Sequence, residues 1–394
     1  MPDINTNPQA FYTIAIMKVL NIIGARPQII KAAAIHRAIK NHYSQSLQEV
    51  IVHTGQHYDH NMSQIFMKEL AIPEPDYNLG VGSAQHGEQT AKMIEKLEPV
   101  LIKENPEYII LYGDTNSTLA GAVAASKLHI AIVHVEAGLR SFNRKMPEEI
   151  NRVVCDHLST LLFVPSWQGY QNLVREGFSP HHSPPHNADH PGIYHCGDVM
   201  YDNSLYFSAL AKTKSNILTK YNLQEDQYIL ATLHRDHNTD IPKNLSAIFK
   251  AFLLIAEKYK IILPLHPRTK RKLSSDLHKD LLNQIEKSPY LIITDPVSFL
   301  DMINLESHAR MIITDSGGVQ KESYFFNKPC MILRGETEWT EILETGKAVL
   351  VSADHKHIIQ SFHEFMNSDR TDFPQIFGDG HAAEHICETM INNQ

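Results

Sequence analysis

Residues 17–40 read MKVLNIIGARPQIIKAAAIHRAIK. Met17 opens an apolar, β-branched run that ends at Ile23. Gly24 and Pro27 then break the run, and an amphipathic stretch follows from Gln28 to Lys40. A strand thus feeds directly into a helix. Pro27 suits the first helical position, where its missing N–H leaves no bond unmade.

The same unit recurs along the chain. Strand-length apolar runs fall at 18–23, 50–54, 108–112, 130–135, 161–164 and 193–196, with amphipathic stretches at 87–103 and 117–127 among the intervening segments. After about residue 200 the pattern restarts with runs at 228–233, 261–265, 291–294, 311–314, 330–333 and 348–351. Such runs alternating with helices predict parallel sheets covered on both faces. Six units, a pause and six more predict an α/β chain of two doubly wound, Rossmann-like domains. The expected division is an extension at 1–16, a first domain at 17–197, a second at 198–375, and a C-terminal helix at 376–394 that packs back on the first. The first sixteen residues read either as a true extension or as the product of an upstream start codon. The pause, SPHHSPPHNADHPG at 179–192, holds His181, His182, His186 and His190. No helix presents them and no Cys or Glu completes a metal set, so a solvated loop is expected.

Composition excludes several classes. With 394 residues, 43% hydrophobic and 20% charged, the chain suits a globular enzyme of two domains. A net charge of −8 argues against nucleic acid as a partner, though it leaves room for a local basic pocket. Cys155, Cys196, Cys330 and Cys387 lie too far apart for a zinc or disulfide pattern, which favours a reduced, cytoplasmic setting. The apolar stretch 14–23 contains Lys18 and is too short to span a bilayer, so no membrane association is expected.

In parallel α/β sheets, ligands bind where strands end. Arg26 and Lys31 follow the first run at a helix N-terminus, a plausible anion site; a tight turn with two solvated cations explains them equally well. Asp114 ends the third run, Glu136 the fourth, and Glu148 opens the next helix, so three carboxylates converge on one rim. Capping by Asp114 and dipole complementarity by Glu148 and Glu149 explain those residues singly. Glu136 directly follows a buried run and is left over, which favours function for Asp114 and Glu136. In the second half, His234, His266 and Arg334 end strands. Ser316-Gly317-Gly318 opens a helix as a phosphate seat, and Glu322 on that helix could accept ribose hydroxyls. No GxGxxG fingerprint for a nicotinamide cofactor occurs at these turns.

Nine motifs in order give a resemblance. GARPQIIKAA (24–33), TGQHYD (54–59), GDTNSTLAGA (113–122), HVEAGLRS (134–141), MPEEINR (146–152), GDVMYD (197–202), HPR (266–268), TDSGGVQKE (314–322) and LRGETEWTE (333–341) resemble the non-hydrolysing UDP-N-acetylglucosamine 2-epimerases, from Met17 to about Ser352. The resemblance implies a glycosyltransferase-B-like fold with the active site in the cleft, a homodimer, and no metal or other cofactor. It implies UDP held by Arg26, His234, His266, Phe299, Ser316, Gly317, Gly318, Glu322 and Arg334. It assigns acid–base work to Asp114, Glu136 and Glu148, with His234 near the diphosphate, and a possible activator site to Gln56 and His57. The sequence departs from the family at Asp236-His237, where Arg-Glu is common, and at Thr337–Glu341 (TEWTE), where TERPE is common.

The implied reaction interconverts UDP-N-acetylglucosamine and UDP-N-acetylmannosamine, supplying precursors of bacterial surface polysaccharide. Eliminating UDP leaves a 2-acetamidoglucal, and readdition after protonation on the other face inverts C2. Four rivals stand beside it: a 2-epimerase of UDP-2,3-diacetamido-2,3-dideoxy-glucuronic acid, a hydrolysing 2-epimerase, a glycosyltransferase of the same fold, and a non-catalytic UDP-sugar sensor. GARPQ and TEWTE, in place of GTRPE and TERPE, look like the uronate subgroup.

Overall fold

The computed structural model describes residues 16–56, 67, 70–367 and 372–393. Its first sheet contains β1 (Met17–Ile23), β2 (Leu47–His53), β3 (Tyr77–Asn78), β4 (Tyr108–Tyr112), β5 (Ala131–Val135), β6 (Leu161–Val164) and β7 (Gly192–His195), in the order β3-β2-β1-β4-β5-β6-β7. The second contains β8 (Tyr228–Thr232), β9 (Lys260–Pro264), β10 (Leu291–Thr294), β11 (Met311–Thr314), β12 (Cys330–Ile332) and β13 (Ala348–Leu350), in the order β10-β9-β8-β11-β12-β13. Every pairing in both sheets is parallel. The chain is therefore α/β and doubly wound twice over.

Burial on both faces follows from the pleat. Alternate residues of β1 enter different cores: Val19 and Ile23 join the helix Arg26–Ala38, whereas Leu20 and Ile22 meet Val52 and Leu111. Each such side chain contributes about 1.5–3 kcal/mol through burial. The expected six strands of the first half are in fact seven. β3 has two residues at the sheet edge, too short to carry any periodic signal.

The chain crosses between sheets at Asp198, whose backbone N–H donates to the Phe377 carbonyl at 3.0 Å and whose side chain caps the helix Val199–Lys214. That helix touches both halves: Val199, Phe207 and Ala211 join the first core, and it also packs on the helix Phe299–His308. The C-terminal helix Ala382–Asn392 buries Ala382, Ile386, Cys387 and Met390 in the first core. Asp202 accepts from the backbone N–H groups of Ala382 and Ala383 at 3.2 and 2.8 Å.

The histidine-rich loop is not wholly solvated. His186 is buried, donates its backbone N–H to Asn393 Oδ1 at 2.6 Å, and pairs its ring with the Tyr194 hydroxyl at 2.9 Å. Among the described residues, no helix is long and apolar enough to cross a membrane.

Candidate active site

Each sheet reverses its winding between two central strands, β1/β4 in the first and β8/β11 in the second. Crevices open at the carboxyl ends of strands at such points. Here the two crevices share one cleft of about 900 Å³, lined from both halves.

On the first half, Arg26 and Lys31 of the helix Arg26–Ala38 face Asp114 and Glu136. Lys31 Nζ hydrogen-bonds Glu136 Oε2. From the opposite half, Lys321 Nζ reaches Glu136 Oε1 at 3.2 Å and Asp198 Oδ2 at 2.6 Å, and its ammonium lies 4.2 Å from the Trp339 ring centre. Burial raises the Glu136 carboxyl, but Lys31 and Lys321 outweigh it and hold the group at about 2. The backbone stores strain at this point, since Glu136 has φ +73°. Gly113, at φ +59°, leaves the space needed: a Cβ there would stand 3.0 Å from Glu136 Oε2 and 3.2 Å from Lys31 Nζ. Asp114 is tied to Arg152.

Beneath this rim sits a fully buried support. His134 bonds the Gly113 carbonyl through Nε2 at 2.8 Å and Asp156 through Nδ1 at 2.6 Å, while Arg140 reaches Asp156 at 2.7 Å. A carbonyl and a carboxylate both accept, so both ring nitrogens donate and the imidazole is charged. Burial opposes that charge, and Cys155 and Asp156 outweigh it.

On the second half, Ser316 stands at the N-terminal boundary of the helix Gly317–Phe325 without a side-chain capping bond, and its backbone N–H donates to Thr314 Oγ1 at 2.9 Å. The buried Asp315 accepts from the backbone N–H groups of His234 and Arg235 at 3.1 and 2.9 Å, and its carboxylate lies 3.1 Å from His234 Nδ1. Burial raises Asp315, and the His234 ring outweighs that effect and lowers it. His234 is thus aimed into the cleft from a fixed base. His266, Phe299, Gly317, Gly318 and Glu322 complete this wall.

Four expected residues stand apart. Glu148 is exposed at the start of the helix Pro147–Leu158 and lies outside the cleft lining; its neighbour Glu149 instead accepts from Ser141 and Phe142 and shapes the preceding loop. Arg334 is also off the lining, paired with Glu338 at 2.9 Å. Gln56 is buried and accepts from Ser117 Oγ at 2.7 Å, tying the β2 turn to the helix Asn116–Lys127. His57 lies outside the described residues.

Among the charged lining residues that the sequence reading did not single out are Lys321, Glu306 and Glu338. Lys321 sits inside TDSGGVQKE, where a lysine one turn past the glycines was the available signal. Glu306 falls on the apolar stripe of its helix, seven positions after Phe299.

A carboxylate held between ammonium groups, facing a helix N-terminus across a cleft, suits acid–base chemistry on a phosphorylated ligand. The family described as UDP-N-acetylglucosamine 2-epimerase matches residues 38–391. The chain belongs to this family. Its epimerase relatives are similar from end to end. A "UDP-N-acetylglucosamine 2-epimerase homolog" of Methanococcus maripaludis is 46% identical over 95% of this chain and 100% of its own. The UDP-2,3-diacetamido-2,3-dideoxy-D-glucuronate 2-epimerase of Pseudomonas aeruginosa is 44% identical over 95% and 99%. The Methanocaldococcus jannaschii UDP-GlcNAc 2-epimerase, solved with UDP-GlcNAc and UDP, is 39% identical over 95% and 100%, with a TM-score of 0.77. The epimerase fold is glycosyltransferase-B-like, as two facing doubly wound domains imply.

Proposed function

We propose that the chain interconverts UDP-N-acetylglucosamine and UDP-N-acetylmannosamine by eliminating and re-adding UDP. The observation that carries this reading is Glu136, a carboxylate shared between Lys31 and Lys321 and facing the Ser316-Gly317-Gly318 turn. The C2 proton of the sugar is not next to a carbonyl, so direct removal is difficult. Expelling the diphosphate from C1 as the proton leaves C2 gives a 2-acetamidoglucal. Protonation on the opposite face and return of UDP give the epimer.

The second half seats UDP: Gly317 and Gly318 let backbone N–H groups approach the diphosphate, Arg26, His234 and His266 meet developing charge, Phe299 flanks the nucleotide, and Glu322 accepts from the ribose. Arg334 joins this seat once released from Glu338. Asp114 and Glu136 serve proton transfer. In the free protein Glu136 is a weak base at about 2. An arriving diphosphate gives Lys31 and Lys321 a second anion to share, which raises Glu136 towards the working range. Glu148 takes part only if its end of the helix Pro147–Leu158 approaches the bound sugar, and Gln56 with His57 remains the candidate activator site. The reading includes a cytoplasmic homodimer, for which light scattering tests the assembly.

A second substrate has one specific observation behind it, the 44% identity to an epimerase of a diacetamido-glucuronate. The test is NMR of each UDP-sugar incubated with the protein in heavy water. Epimer of UDP-N-acetylglucosamine carrying deuterium at C2 supports the proposal. Free N-acetylmannosamine, or a hundredfold higher kcat/KM for the uronate, reverses it.

A further inference from the structure

The helix Phe299–His308 turns Phe299, Met302, Ile303 and Glu306 along one wall of the cleft. Three are apolar, as a buried stripe requires. The fourth is a carboxyl only 1% exposed. An ionised carboxylate there needs donors to offset its lost hydration, yet Glu306 Oε2 has no hydrogen-bond partner among the described residues. What Glu306 meets is a second carboxyl, that of Glu322 on the helix Gly317–Phe325, in a side-chain hydrogen bond. Two carboxylates offer only acceptors, so this bond requires a proton between them.

The surroundings decide which residue keeps the proton. Arg26 and Lys321 act on Glu322 and favour its charge, with Asp198 opposing. The neighbour that acts on Glu306 is instead the Glu322 carboxyl. Tyr228, beside Glu306, gives its hydroxyl to the Leu305 carbonyl at 2.6 Å, and Glu225 acts on that same tyrosine. Burial and then the neighbouring carboxyl push Glu306 well above the ordinary carboxyl range, whereas Glu322, raised by burial and drawn back by Lys321 and Arg26, stands at about 6. Because Lys321 and Arg26 favour charge on Glu322, a proton shared by the pair belongs on Glu306.

We propose that Glu306 is a positioning residue of the nucleotide seat, a neutral acid that donates to Glu322 and fixes that carboxylate to accept from the two neighbouring hydroxyls of a ribose. This rests on the reading of the cleft as a UDP site. An acid at this place does what a buried apolar residue cannot: it holds the acceptor still without adding a second negative charge beside the diphosphate.

The test is calorimetry of UDP and of 2′-deoxy-UDP with the wild type, Glu306→Gln and Glu306→Met at pH 7.5, each variant first checked for an unchanged melting temperature. The wild type should bind UDP roughly tenfold more tightly than 2′-deoxy-UDP, the value of one hydroxyl bond to a charged acceptor. Glu306→Gln keeps a neutral donor and should stay within about threefold on UDP, with the preference intact. Glu306→Met should lose about tenfold on UDP and most of the preference. Infrared difference spectra on adding UDP should contain a protonated carboxylic acid band in the wild type and lack it in Glu306→Gln. The proposal is overturned if Glu306→Met matches the wild type on both ligands, if Glu306→Gln is as impaired as Glu306→Met, or if the band is absent. Failure of the wild type to bind UDP at all would instead overturn the UDP reading.

Discussion

Lys321 Nζ stands 3.2 Å from Glu136 Oε1, although 185 positions separate the two residues. The helix that opens at Ser316-Gly317-Gly318 thus carries a cation that governs the carboxylate of the other half. The same ammonium holds Asp198, where the chain crosses between the sheets. The helix Gly317–Phe325, the crossing point and Glu136 are joined in one ionic unit.

Removing that cation should change chemistry more than nucleotide binding. In Lys321→Met, Glu136 keeps only Lys31, so its pKa rises from about 2 and the acid limb of the pH–rate profile moves to higher pH. Turnover should fall about a hundredfold, against a roughly tenfold loss of UDP affinity from the diphosphate's missing ammonium partner. Stripping one partner from a buried ion pair also costs about 3–5 kcal/mol, visible as a lower Tm. An acid limb that stays in place would show that Lys321 does not govern Glu136.

The same carboxylate makes stability depend on pH. Its folded value, about 2, lies below the ordinary 4.5, so its contribution is complete above 4.5 and is lost as pH falls towards 2. The Tm difference between the wild type and Glu136→Gln should be widest near neutral pH and shrink through that window. A difference that is constant between about pH 7 and pH 3 contradicts the ionic account.

Glu338 covers the expected diphosphate seat. A Cβ built on Gly317 would lie 2.3 Å from Glu338 Oε1, and Arg334 is held by the same carboxylate. Glu338→Gln should remove repulsion and release Arg334, tightening UDP binding several-fold. Gly317→Val should weaken it a hundredfold or more with the fold intact, because the added branch meets both Glu338 and the approaching phosphate. Calorimetry with UDP checks both, and unchanged affinity in both would move the seat elsewhere.

Legibility in the sequence followed locality. The runs at 108–112 and 161–164 coincide with β4 and β6 because a buried parallel strand is apolar on both faces. β3 left no trace, since two edge residues carry no period. Glu136 stood out because a carboxylate after a buried run has no local explanation. Lys321 and Glu306 did not, because their partners, Glu136 and Glu322, lie on other elements and only the tertiary packing brings them together. Glu148 is the converse: a first-turn acid looks the same in sequence whether it faces the cleft or solvent, and here it is exposed and off the lining.

Asp315 should prove indispensable without touching ligand. It binds the His234 ring and the backbone N–H groups of His234 and Arg235, and it also accepts from Asn238 Nδ2 at 3.1 Å. Asp315→Asn cannot accept from all of these donors and loses the charge that orients the imidazole. UDP affinity should fall about tenfold and turnover further, whereas Asn238→Ala should affect both less. Wild-type kinetics in Asp315→Asn would remove His234 from the seat.

The reaction coordinate gives the most decisive measurement. If Asp114 and Glu136 carry proton transfer, Asp114→Asn and Glu136→Gln should each cut turnover by about 10²-fold or more while leaving UDP affinity nearly unchanged, because the proposed UDP seat lies mainly on the other half. Glu148→Gln should be milder, since Glu148 is exposed and off the lining. Elimination and readdition also expose C2 to solvent, so product formed in heavy water should carry deuterium there. A slow variant that cannot complete readdition should release 2-acetamidoglucal and UDP, because the intermediate then outlives closure of the cleft. The substitutions and the isotope probe different links: the first asks which side chains move the proton, the second whether the proton leaves at all. Epimer that retains full protium at C2 would rule out this path whatever the variants do.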